Sequence, residues 1–329
     1  MQALVTSPPG GWPNTRLQPT ELRIGRADEV LVEIRTVGLN PADNFQIEGR
    51  YPGGPKPPFI PGRDACGVVI QGDSLGRWKT GDAVITLQSS TTDLQAGTIC
   101  QKQWIAAENL ARKPVGWSDT EAGAAPLVFL TAWKALFGLG ALQAGQSVVV
   151  TGASGGVGLA CVQLANAFGA TVVALSRSEE KRRHLREVGA KHTFAPEDPQ
   201  LKEKIFDAIG SKGVSLVVEN VGGQSLATSI HLLGVHGRVS VVGVLAGVES
   251  VIPIPALMFK RASIQGVLVT DDSPEQAQNS WTDIVGLMDR ERIRPIVCST
   301  YPMESVATAF EQLRSDVFGK IVVEIPLSD

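Results

Sequence analysis

The reading of the chain turns on one stretch, Ser147-Val148-Val149-Val150-Thr151-Gly152-Ala153-Ser154-Gly155-Gly156-Val157-Gly158. Its first residues form a continuous β-branched apolar run, the pattern of a strand buried on both faces. Glycines follow, and then apolar residues recur at Val157, Leu159, Ala160, Val162, Leu164, Ala165 and Phe168, which predicts a helix over 156–168. A strand that passes through glycines straight into a helix lets the backbone approach a pyrophosphate. The phosphate charge then rests on the unpaired N–H groups of the first helical turn. The match to G-x-G-x-x-G is imperfect, because Ala153 holds the first glycine position. Strand–turn–helix context is what gives the motif its weight. The candidate contacts are Ala153, Ser154, Gly155, Gly156, Val157 and Gly158.

Downstream, the same alternation continues. Strands are predicted over 171–175, near 192–194, and over 214–218, 238–242 and 263–269, with helices over 178–188, 200–209 and 224–233. Uninterrupted Val/Ile-rich strands alternating with helices argue for a parallel sheet covered on both faces, and six of them suit the doubly wound α/β dinucleotide fold. NAD sites usually place an acidic residue about 20 positions beyond the glycines, to hold the ribose 2′-OH. Here that place holds Ser176, followed by Arg177, with Lys181 on the next turn. A carboxylate would repel a 2′-phosphate, whereas these three side chains donate to it. The expected cofactor is NADPH.

Upstream, short strand candidates at 30–35, 67–70 and 83–87 are separated by Gly- and Pro-rich turns, which suggests a compact β barrel or sandwich. The 329 residues suggest two domains. Lys+Arg 30 against Asp+Glu 33 leaves a net charge of −3, which disfavours a nucleic-acid binder working by phosphate neutralisation. Residues 122–142 resemble a membrane span, but Lys134, Pro126 and three glycines interrupt them, so they read as buried helix and loop. The opening residues lack a basic start followed by an apolar run. The cysteines, Cys66, Cys100, Cys161 and Cys298, form no CxxC pair, so reduced thiols in a cytoplasm are expected. After residue 270 come two helical stretches and a last strand, about 60 residues, too few for a large core of their own. They are expected to fold back onto the first domain.

The glycine turn also fits the short-chain dehydrogenases, which need Tyr and Lys four residues apart. Tyr51 is followed at that distance by Pro55 and Tyr301 by Ser305, so that class is rejected. The whole chain instead resembles the medium-chain dehydrogenase/reductase superfamily. The markers are Gly38-Leu39-Asn40-Pro41-Ala42-Asp43, Pro61-Gly62-Arg63-Asp64-Ala65-Cys66-Gly67, Gly81-Asp82-Ala83-Val84, Leu130-Thr131-Ala132-Trp133, Asn220-Val221-Gly222-Gly223 and Gly319-Lys320-Ile321-Val322. The resemblance implies a GroES-like β-barrel catalytic domain, 1–121 completed by 270–329, plus an inserted doubly wound Rossmann domain, 122–269. It also implies a homodimer. Zinc members carry ligands where this chain has Asn40, Arg63 and Leu127. An Arg and a Leu cannot ligate zinc and an Asn ligates it poorly, so no metal is expected and Arg63 reads as a surface charge.

The zinc-free branch is similar to quinone oxidoreductases and 2-enoyl thioester reductases. It implies reduction of a quinone, enone or enoyl thioester by hydride transfer. By this resemblance Tyr51 is a proton donor or substrate anchor, and Thr131 borders the nicotinamide. Asn220, Val242 and Gly243 border the ribose and nicotinamide. The enolate oxygen formed on reduction needs donors, for which Tyr51, the Asn40 amide and backbone N–H groups near Val244 and Leu245 are candidates. One departure is that His192-Thr193-Phe194-Ala195-Pro196 lacks the Tyr that some quinone reductases place beside the 2′-phosphate. Two other readings stay open: an NADPH-binding member with little catalysis, as in lens crystallins, and a dehydrogenase of alcohols or aldehydes. Partners other than a small molecule, such as nucleic acid or membrane, are not expected.

Overall fold

The computed structural model describes residues 1–315 and 317–327. Its strands in chain order are β1 (Gln2–Thr6), β2 (Thr15–Pro19), β3 (Glu29–Gly38), β4 (Cys66–Gln71), β5 (Ala83–Thr86), β6 (Lys102–Ala106), β7 (Leu110–Arg112), β8 (Ser147–Val150), β9 (Thr171–Leu175), β10 (His192–Phe194), β11 (Val214–Glu219), β12 (Leu233–Val241), β13 (Ser263–Gly266), β14 (Val297–Pro302) and β15 (Lys320–Glu324). The α-helices are α1 (Pro41–Ile47), α2 (Asp119–Ala124), α3 (Pro126–Trp133), α4 (Gly156–Ala167), α5 (Glu179–Glu187), α6 (Leu201–Ile209), α7 (Gln224–Leu232), α8 (Ile254–Lys260), α9 (Pro274–Arg290) and α10 (Val306–Leu313). The chain divides into two units. The first holds Met1–Leu127, Thr270–Trp281 and the chain from Arg294, and the second holds Val128–Val269 and Thr282–Ile293.

In the second unit, β10-β9-β8-β11-β12-β13 form one sheet in that order. All of its pairings are parallel. Val148, Val149 and Val150 at its centre are wholly buried, which is why the strand reads as an unbroken apolar run. The core joins Val149, Val173 and Val217 to Leu201, Ile205 and Ile230 from α6 and α7. Strand order reverses direction between β8 and β11, which makes the carboxyl ends of these two strands the switch point where such sheets receive ligands. The expected strand at 263–269 ends early: β13 stops at Gly266, and Val269–Asp271 form a 3-10 turn.

In the first unit, β14-β15-β3-β4-β5-β7 form a second sheet, with β6 on β3. The ten residues of β3 serve three neighbours in succession: β6 along Glu29–Glu33, β4 over Leu31–Thr36 and β15 over Thr36–Gly38. One strand shared among three partners curls the sheet around a core of Val30, Val32, Ile34, Val37, Val69, Ile321 and Val323. Helix α10 closes that core with Val306, Ala309 and Phe310. Helix α1 is a finding beyond the sequence reading, which assigned no element to its residues. Asn40 caps it, Pro41 opens it, and Asp43 completes the capping box by accepting from the Asn40 backbone N–H at 2.8 Å. No helix among the described residues is long and apolar enough to cross a membrane.

Candidate functional site

The glycine turn occupies the carboxyl end of β8 in the second unit. Gly152 has φ +55°, and a side chain at Gly158 would collide with Gly152 O and Ala153 Cα. Both positions therefore need glycine, one for its conformation and one for the close seat of α4 on the turn. A Cβ at Gly155 would meet only Gly152 O, at 3.6 Å, so its outer side is open. No side chain caps the start of α4, whose first N–H groups are left for a ligand. Ala153, Ser154, Gly155, Gly156, Val157 and Gly158 thus lie together around an uncapped helix start, a cradle suited to a pyrophosphate.

The neighbouring strand β9 ends one residue before Ser176, which is buried and donates its backbone N–H to Phe194 O at 3.1 Å. Arg177 is exposed and Lys181 half-buried on the first turn of α5, whose N-cap is Ser178. Arg182, which the sequence reading passed over, fixes this corner by donating at 2.8 Å to both Ser176 O and Arg177 O. The first carboxylates, Glu179 and Glu180, come only inside α5.

A second residue missed by sequence reasoning organises the far side of the switch point. Glu219, wholly buried at the end of β11, accepts from Thr151 Oγ1 at 2.9 Å, Val221 N at 2.9 Å, Gly222 N at 3.0 Å, Ser225 Oγ at 2.9 Å and Ser229 Oγ at 2.5 Å. Five donors let a buried carboxylate stay in place without a cation. Asn220 donates from its backbone N–H to Thr151 Oγ1 and from Nδ2 to Thr151 O, both at 2.9 Å. Its Oδ1 is buried without a partner. Val242 and Gly243 both donate to Glu219 O, and a Cβ on Gly243 would strike Asn220 O. Asn220, Val242 and Gly243 are therefore brought together beside Thr151, at the base of the glycine turn. Thr131 lies buried in α3 of the same unit. The only trace in the sequence was a charged residue closing an otherwise apolar strand, Val214-Ser215-Leu216-Val217-Val218-Glu219.

The first unit concentrates charge around Asn40. Lys320, 4% exposed, donates to Leu39 O at 2.8 Å, Asn40 Oδ1 at 2.6 Å and Asp64 Oδ2 at 3.2 Å. Asn40 Nδ2 donates to Gly38 O and Asp64 Oδ2, both at 3.0 Å. Leu127 N reaches Asp64 Oδ1 at 2.8 Å. Both N–H bonds of the Asn40 amide are therefore committed within the protein. This arrangement makes Asn40 an anchor for Lys320 and Asp64 and leaves it no N–H for the expected donor role. Burial pushes the Asp64 carboxyl up, against the pull of Lys320.

Arg63 differs from the expectation of a surface charge: it is 5% exposed. Its Nε lies 3.8 Å from Asp43 Oδ1, and its Cζ sits 4.5 Å from the ring centroid of the half-buried Tyr51. Asp43 is wholly buried, and desolvation pushes its carboxyl up to about 6 even though Arg63 opposes the shift. Asn40, Tyr51, Arg63 and Asp43 thus form one neighbourhood. Among the described residues no group of three or more His, Cys, Asp or Glu is placed to hold a metal ion.

Residues 26–137 match the family model of the alcohol dehydrogenase GroES-like domain, and residues 156–290 match that of the zinc-binding dehydrogenases. The chain is 33% identical to a quinone oxidoreductase of Lama guanicoe, over 98% of this chain and 97% of that one. It is 31% identical to the quinone oxidoreductase of Homo sapiens, over 91% and 90%. Among solved structures, an NAD-dependent alcohol dehydrogenase superposes with a TM-score of 0.88 at 26% identity, covering 99% of this chain and 100% of that one.

Proposed function

The chain belongs to the medium-chain dehydrogenase/reductase superfamily, in its quinone oxidoreductase branch, and is an oxidoreductase of the nicotinamide-dependent kind; from that premise we propose that it reduces a quinone or an α,β-unsaturated carbonyl with NADPH, without a metal. The observation that carries the reading is the donor set of the first unit. The engaged amide of Asn40, the guanidinium of Arg63 and the leucine at 127 do not suit a cation, and of the three Arg63 suits a polarised carbonyl oxygen. The quinone oxidoreductase relatives support the same substrate class.

The cofactor reading rests on the second unit. Ala153 to Gly158 and the uncapped start of α4 take the pyrophosphate, while Ser176, Arg177 and Lys181 take the 2′-phosphate. Thr131, Asn220, Val242 and Gly243 border the ribose and nicotinamide. When bound, NADPH supplies hydride to the electron-poor carbon β to the carbonyl. Tyr51 supplies a proton from its hydroxyl, acting as general acid.

The working form is a homodimer. Helix α8 buries none of its residues, although Ile254, Met258 and Phe259 are apolar and at least 62% exposed. It lies in the same unit as β13, the border strand of its sheet, whose outer edge is unpaired among the described residues. A second copy of the chain covers this face. The free thiols suit a reducing compartment such as the cytoplasm.

The test is a panel of ortho-quinone, enone, enoyl thioester and alcohol substrates, each assayed with NADPH and NADH. Turnover of a quinone or enone with NADPH is expected. Alcohol oxidation alone would overturn the reading. NADPH binding without any turnover would place the chain with the crystallin-like members.

A further inference from the structure

A guanidinium carries five N–H donors, and buried donors are nearly always satisfied. Arg63 breaks this rule: its Nε and Nη2 are buried with no acceptor. Asp43 at 3.8 Å balances its charge from beyond hydrogen-bond range, and Asp43 Oδ1 is itself unpartnered. Tyr51 covers the guanidinium with its ring, which stabilises the cation and takes up none of its hydrogens. The contrast with Lys320 is informative. That ammonium is just as buried in the same unit, and it donates to three oxygens. Arg63 is the cation left ready to donate.

The space beside it is open. A crevice of about 50 Å³ passes Arg63, lined by Gln46, Thr86, Gln88 and Thr98. Gln46 Nε2 and Gln88 Oε1 also lack partners there. The crevice has room for an oxygen-bearing group together with water.

We propose that Arg63 binds the carbonyl oxygen of the substrate and carries the negative charge which that oxygen gains on reduction. The inference rests on the quinone or enone reading above and deepens it. As hydride forms the new C–H bond at the β carbon, the C=C pair shifts to join the α carbon to the carbonyl carbon. The carbonyl π pair moves onto oxygen, and NADPH is left oxidised. A proton then adds at the α carbon of an enone; with a quinone it adds at the oxygen, and loss of a proton from the reduced carbon with gain of one at the second carbonyl oxygen gives the hydroquinone. Asp43 explains why the ligand is neutral at first. With that carboxylate beside it, the guanidinium has little net charge to attract a resident anion, yet its N–H groups stay free to strengthen their bonds as the oxygen becomes anionic. Such binding favours the transition state over the substrate.

The experiment has a binding arm and a kinetic arm. In the first, 4-nitrophenol, whose phenolate mimics an enolate oxygen and is coloured, is titrated against the protein saturated with NADP⁺. The wild type is expected to bind the phenolate and to lower the pH at which the phenol ionises. Arg63→Met should bind it about ten- to hundredfold more weakly, the usual effect of losing a charge-assisted hydrogen bond. In the second arm, Arg63→Met should lose turnover by a similar factor with NADPH affinity unchanged, and Arg63→Lys should recover part of it. Because removing Arg63 strands Asp43, Arg63→Met with Asp43→Asn is made in parallel to keep the fold. Failure of the wild type to shift the phenol, or full turnover in the paired variant, overturns the proposal. An Arg63-dependent phenolate shift in a protein that reduces none of the panel supports the oxyanion site while refuting the substrate reading.

Discussion

In the proposed reaction Tyr51 and Arg63 divide the labour, and the part of Tyr51 can be tested alone. Tyr51→Phe keeps the ring over Arg63, and with it the cation–π contact at 4.5 Å, and removes only the hydroxyl. Losing one positioned acid costs on the order of 10²-fold in rate. Enones, which need a proton at carbon, should suffer more than quinones, while NADPH affinity stays nearly unchanged. Equal turnover by wild type and variant on the best enone would reduce Tyr51 to a cover for Arg63. Asp43 gives a prediction in stability. Its carboxyl stands at about 6 in the fold, above the unfolded value of about 3.9. The native state therefore holds the extra proton between these values, and the stability this group contributes is complete below about pH 4 and lost as pH rises through about 6. Asp43→Asn removes that slope. Wild type should lose on the order of 1–3 kcal/mol relative to the variant between pH 4 and 6, and nothing further above it. Urea midpoints across this range check it, and a difference that stays constant with pH would refute the buried carboxyl. Glu29 works in the opposite sense. Arg23 and Arg26 hold it down to about 2, so its contribution is present above about pH 4 and fades only in stronger acid.

At the scale of elements, the proposed preference for NADPH rests on the loop from β9 into α5. Ser176 and Arg177 are held in place by Arg182, which grips both backbone carbonyls, so their side chains are set by a third residue that need not touch the phosphate. Ser176→Asp with Arg177→Ala puts a carboxylate where the 2′-phosphate would lie. It should erase most of a ten- to hundredfold preference for NADPH. Fluorescence titration with both nucleotides measures it, and tighter NADH binding by the unmodified protein would refute the assignment. The elements around this site were legible because burial on both faces writes itself as valine runs, as in β8, β9 and β11. Elements without that contrast were not. Helix α8 buries no residue fully: Ala256 packs partly against the core while Ile254, Met258 and Phe259 stay exposed, so its apolar residues do not mark one inward face. Helix α1 hid among prolines and glycines, although Asn40-Pro41-Ala42-Asp43 spells an N-cap, a first-turn proline and a capping-box acid. Glu219 and Arg63 were illegible for another reason. A charge in sequence reads as surface until its donors or its burial are known: Glu219 gathers nearby donors from Val221 to Ser229 together with Thr151 from the end of β8, and Arg63 faces Asp43 from α1.

For the whole molecule, the proposed dimer rests on exposed apolar residues of the second unit. Val248 is 81% exposed, Phe259 77%, Val251 70%, Ile254 67% and Met258 62%, all within one stretch between β12 and β13. A monomer rarely leaves so many large apolar side chains together in water, and the free edge of β13 adds unpaired backbone groups to the same unit. In the proposed dimer a second copy would cover both with one symmetric surface, since an isologous contact needs only a patch complementary to itself. Stable interfaces of this kind bury about 1,200–2,000 Å² in total. The carboxyl-terminal ends of β8 and β11, which carry the cofactor cradle, lie in the interior of the sheet while β13 forms its border, so disrupting the border should leave the cradle standing. Phe259→Glu with Met258→Lys places a charge pair where apolar surfaces would meet. Sedimentation should then show the wild type at twice the 34.8 kDa chain mass and the variant at one chain. The variant should bind NADPH as the wild type does and unfold at a lower temperature, because dimerisation no longer adds to its stability. A wild type that sediments as one chain at micromolar concentration would mean that the face meets some other partner.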